Sequence, residues 1–74
     1  MPSEIAIRDA SIRLGQLLKL AGIIVSGSEA KELLATERVS VNGEPEARRG
    51  RQLHHGDRIR VGDHELLVVA APAP

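Results

Sequence analysis

The chain has 74 residues, zero formal net charge, 42% hydrophobic residues, no Cys and no Phe, Tyr or Trp. That excludes a disulfide framework, a Cys-based zinc site and an aromatic platform for stacking bases. One small domain fits this length, and nine Leu, six Ile and six Val must supply its core.

Residues 4–8 alternate like a short strand, with Ile5 and Ile7 on one face, and Asp9-Ala10-Ser11 breaks the pattern. From Ile12 the period changes. Leu14, Leu17, Leu18 and Ala21 form one apolar stripe of a first helix, which Gly22 ends. Ile23-Ile24-Val25 is an apolar linker. Ser26, with Glu29 three residues later, is a capping-box pattern that opens a second helix whose apolar face is Ala30, Leu33 and Leu34.

After Arg38 the period drops to two. Val39 and Val41 flank Ser40, and Asn42-Gly43 signals a tight hairpin. Pro45 cannot donate to a ladder, which predicts a short or edge return strand. Leu53 is the apolar anchor of a polar stretch, and His55-Gly56-Asp57 is a turn. Residues 58–61 read as a half-buried strand with Ile59 and Val61 inward. Gly62-Asp63 is a second two-residue hairpin loop, which sets Arg60 opposite Glu65. Leu66 to Ala70 reads as a central strand, and residues 72–74 as a disordered tail beyond a single domain of residues 1–71. The predicted core is Leu14, Leu17, Leu18, Leu33, Leu34, Val39, Val41, Leu53 and Ile59. The fold class is α+β, with two short packed helices against a small, mostly antiparallel sheet.

Charge is unevenly spread. Residues 1–47 carry five basic and seven acidic side chains, residues 48–60 carry five basic and one acidic, and residues 61–74 carry two acidic. Arg48, Arg49 and Arg51 fall within four positions. Such guanidiniums repel one another, and gathering them is most useful when an anion sits between them. Arg suits phosphate because its planar fork donates two parallel hydrogen bonds.

The order and spacing of several short motifs resemble the ribosomal-protein S-four type RNA-binding domain. They are Arg13-Leu14, Leu17-Leu18, Gly22, Ser28-Glu29-Ala30-Lys31, Leu33-Leu34, Val39-Ser40-Val41-Asn42-Gly43 and Gly56-Asp57-Arg58-Ile59. The resemblance covers residues 12 to about 61, and the phrasing around residues 18–31 and 46–49 is similar to the small free-standing YbcJ-like bacterial members. It implies the αL RNA-binding motif and an RNA-facing set that joins matching positions to the Arg patch: Arg13, Ser28, Lys31, Arg38, Arg48, Arg49 and Arg51. Three positions depart from the family pattern. Many members have an acid at the position of Gly15 and a basic residue at that of Gly27. The position of Glu37 is usually Gly, so a left-handed backbone there would strain Glu37.

Without aromatic rings, the remaining tools are cations on phosphate and shape, which favours structured RNA over a splayed strand. The expected partner is structured RNA of the ribosomal or transfer RNA class, or a ribosomal particle. The alternative is a protein-interaction adaptor using the same basic loop on an acidic partner. Arg58 and Arg60 read as structural strand charges, and Lys19 is assigned to neither class. On a strand, neighbours such as His54 and His55 point to opposite faces and do not converge easily, no carboxylate spacing completes a ligand set, and no nucleophile sits beside a base. The expectation is therefore a non-catalytic monomer without metal or cofactor. With the polar start Met1-Pro2-Ser3-Glu4 and no long apolar run, the chain is expected to be cytoplasmic, without membrane association.

Overall fold

Alternation in four strands directs Ile7, Val39, Val41, Ile59, Val61, Leu66 and Val68 to one buried face. The computed structural model describes residues 2–36 and 38–70. In chain order it contains β1 (Ser3–Ile7), β2 (Ser11–Arg13), α1 (Leu14–Leu20), α2 (Gly27–Ala35), β3 (Val39–Val41), β4 (Glu44–Pro45), β5 (Gln52–His54), β6 (Arg58–Val61) and β7 (His64–Ala70). Five strands form one sheet in the order β1-β7-β6-β3-β4, and β2 pairs with β5 in a separate antiparallel ribbon. Within the larger sheet β1 runs parallel to β7, while the other pairs are antiparallel. The architecture is α+β, and β7 is interior as expected.

Leu14, Leu17 and Leu18 of α1 and Ala30 and Leu34 of α2 close over that sheet face, joined by Ile24 from the linker and Leu53 from β5. Eight of the nine expected core residues are buried. Leu33 is the exception; it is half-buried and packs at the margin. The linker is split: Ile24 is buried, whereas Val25 is 81% exposed.

The helix ends follow from local chemistry. Gly22 takes φ +77°, its N–H donates to Lys19 O, and the Ile23 N–H donates to Leu18 O. These two bonds are a Schellman closure. At α2, Ser26 Oγ accepts from the Glu29 N–H at 3.4 Å. The reciprocal half of the expected box is displaced by one residue, because Glu29 Oε2 accepts from the Val25 N–H at 3.0 Å.

Both hairpins have their expected turns. Asn42 (φ 52°) and Gly43 (φ 87°) are both left-handed, the I′ geometry that matches strand twist. Pro45 lies on the edge strand β4, paired with Ser40. Arg60 does sit opposite Glu65, yet its Nε donates to Gly62 O at 3.2 Å, and among the described residues it makes no ion pair with Glu65. Residues 11–13 correct the expectation of a helix starting at Ile12: they form β2, paired with β5 as Ile12↔Leu53. Residues 37 and 72–74, on which a strained turn and a disordered tail were expected, lie outside the described residues. Among those described, no helix is long and apolar enough to cross a membrane.

Candidate nucleic-acid interface

The anion between the arginines is already present, and it belongs to the protein. Glu46 follows β4 and is only 8% exposed. Its Oε1 accepts from Arg51 NH1 at 2.8 Å and from Arg48 NH2 at 3.3 Å. Its Oε2 accepts from Arg48 Nε and from the Arg48 N–H, both at 3.2 Å, and from the Ala47 N–H at 3.1 Å. Side-chain hydrogen bonds from Arg48 and then Arg51 lower its pKa from 4.5 to about 2. Of the two arginines, Arg48 is the more exposed, at 76% against 37% of the side chain for Arg51.

The same loop caps α1. Arg13, at the helix N-cap, makes no side-chain cap. Instead the N–H of Leu14 donates to Arg51 O at 2.8 Å, and the N–H of Gly15 donates to Arg49 O at 2.9 Å. Two of the orphan donors of the first turn are thus satisfied by loop carbonyls. A turn closed by the Arg51 N–H on Arg48 O completes the loop.

Arg49 is directed differently from its neighbours. A Cβ on Gly15 would lie 3.5 Å from Arg49 Cβ, and a Cβ on Gly27 would lie 3.5 Å from Arg49 NH1. Its side chain therefore runs from the start of α1 to the start of α2, over two residues without side chains. It borders a concave surface of about 340 Å³ shared with Arg13, Gln16, Lys19 and Gly50. On its other side, a shallower depression of about 250 Å³ joins it to Lys31, Leu34 and Ala47. Among the described residues Arg49 makes no ion pair. Side-chain-free glycines at 15 and 27, two of the departures from the family pattern, form the floor on which it lies.

Of the residues expected to face RNA, Arg13 and Arg49 thus line the first depression, and Arg49 and Lys31 the second. Arg48 and Arg51 flank Arg49 in the chain but are held by Glu46. Ser28 is an exposed residue of the first turn of α2. Arg38 lies elsewhere, beside Leu33, Val61, Asp63 and His64 at the β6–β7 turn. Lys19, assigned to neither class from sequence, joins the surface. The histidines go separate ways: His55 Nδ1 accepts from the Ala70 N–H at 3.1 Å, and His54 lies 3.9 Å from Asp57. Among the described residues no three potential ligands gather into a metal site.

Residues 5–69 match the S4 domain family, and the chain belongs to it. It is also similar to a probable ribosome maturation protein, RlbA, of Bacillus subtilis (strain 168). The two are 48% identical over 61 residues, which cover 82% of this chain and 86% of the relative.

Proposed function

We propose that this S4 domain is a non-catalytic module that docks on structured RNA, ribosomal RNA or a ribosomal particle before transfer RNA, through the surface centred on Arg49. Family membership and the similarity to a ribosome maturation protein support an RNA- and ribosome-related role. The observation that carries the reading is the course of Arg49 across the starts of both helices, with Arg13, Lys19 and Lys31 around it. Arg13, Lys19 and Arg49 line one depression and Lys31 and Arg49 the adjoining one, with no acidic side chain among the lining residues of either. Such a surface tracks a phosphate backbone and fixes register.

Arg48 and Arg51 support this surface more than they form it. With Glu46 between them, each has an internal partner, and their loop holds Arg49 in place. Gly27, at the start of α2, lines the first depression, and the exposed Ser28 next to it adds a hydrogen-bond donor. Arg38 is left outside the primary contact.

No aromatic ring is available to stack a base, so recognition depends on backbone shape. Binding to a folded ribosomal RNA fragment should exceed binding to a poly-U strand of equal length at matched salt, read by fluorescence anisotropy. Equal affinities would reduce the interaction to unspecific electrostatics. Affinity for an acidic polypeptide, without RNA binding, would favour the adaptor reading.

A further inference from the structure

We propose that the outer face of the sheet is a second anion-binding surface, which holds the phosphodiester backbone of another RNA segment. This inference rests on the RNA-binding reading of the helix side but uses different residues. Because Ile59 and Val61 point into the core, Arg58 and Arg60 project from the opposite face, away from both helices. Positions two apart on a strand are about 6.8 Å apart, roughly the separation of successive phosphates along one RNA strand.

The two arginines border a groove of about 400 Å³ on that face, which also includes Ser40, Asn42, Gly43 and Glu65. Its floor is rigid. Asn42 Oδ1 accepts from the Arg58 N–H at 2.9 Å, Asn42 Nδ2 donates to Asp57 Oδ1 at 3.1 Å, and the Asn42 N–H donates to Arg58 O at 2.7 Å. The β3–β4 turn is thereby fastened to the start of β6.

The guanidiniums are less committed than those of the Arg loop. Among the described residues neither Arg58 nor Arg60 makes an ion pair, and the Arg58 side chain makes no hydrogen bond. Arg60 uses Nε on Gly62 O and keeps both terminal nitrogens for a ligand. Glu65, opposite Arg60, offsets part of its charge, so Arg58 is the principal anchor. Exposed arginines gain from bidentate pairing with phosphate, and a flat face with a fixed turn at its edge suits an extended backbone. With Arg49 on the helix side, the domain is built to wedge between two segments of a folded RNA.

Amide chemical shifts during titration with a folded ribosomal RNA fragment test this directly. Two groups of resonances should move: Gly15, Gly27 and Arg49 on the helix side, and Ser40, Asn42, Gly43, Arg58 and Arg60 on the sheet side. In the R58A/R60A double variant the sheet-side group should stay still while the helix-side group still moves. The salt slope of binding should also become shallower by about one to two units. Movement of the helix-side group alone in the unmodified protein overturns this inference and leaves the RNA-binding reading intact. Movement of the sheet-side group alone supports the inference and overturns the helix-side site. If neither group moves, both fall. Sheet-side shifts produced by an acidic peptide and not by RNA overturn the assignment of the ligand.

Discussion

The Asn42-Gly43 turn and the residue 46–51 loop lie at opposite ends of the short strand β4, and they are ordered in opposite ways. The turn is fixed locally. Two left-handed residues set its shape, and its tie to Asp57 and Arg58 adds to a conformation already chosen. The loop has no such local code. A nearly buried carboxylate gathers two arginines, two backbone carbonyls cap α1, and Leu53 pins the far end at 0% exposure. The difference teaches that a cluster of like charges in sequence is not yet a binding surface. The fold first neutralises part of the cluster and then presents what is left.

The comparison breaks most severely at Leu53. Leu53→Ala should cost about 2–5 kcal/mol in chemical denaturation, because it opens a cavity under the ribbon that carries the loop. A cost below half a kilocalorie would show that the loop is anchored elsewhere. Gly43→Ala acts on the other side of the comparison. At φ 87° an Ala is strained by about 1–2 kcal/mol, with no effect on Arg49.

Acid should then loosen the loop and spare the turn. The Glu46 pKa is depressed in the folded protein, so its contribution is fully present above the ordinary value of 4.5 and is lost as pH falls towards about 2. Protection of the Leu14 and Gly15 amides, measured against their intrinsic exchange rates, should fall in that window, ahead of protection at Asn42. Glu46→Gln should remove this pH response and give fast exchange at neutral pH. An unchanged exchange rate in Glu46→Gln would mean that the carboxylate does not order the loop.

What the sequence conveys divides along the same line. The helices, Gly22, both hairpins, the edge position of Pro45 and the Arg60–Glu65 register were legible, because each depends on a few consecutive residues. Strands β2 and β5 were not, since three residues such as Ser11-Ile12-Arg13 become a strand only by pairing with residues 52–54. Leu33 sits on the right stripe of α2 but at its margin. Glu46 was the largest omission. Between Pro45 and Ala47 it reads as one more solvated acid, and its burial follows from pairing beyond β4, where its N–H donates to Val39 O at 3.0 Å. Arginines two and five positions later were the only local hint. The candidate interface was accordingly legible in its residue types, and the division of labour among its arginines was not.

That division is the central claim, and single substitutions in a salt titration test it most directly. With a folded ribosomal RNA fragment, Arg49→Ala should make the slope of log affinity against log salt shallower by about 0.7–0.9, the loss of one phosphate contact. Arg48→Ala and Arg51→Ala should each change it by less than half as much, since Glu46 already engages both side chains. Equal reductions for all three arginines, or a reduction confined to Arg48 and Arg51, would contradict the account.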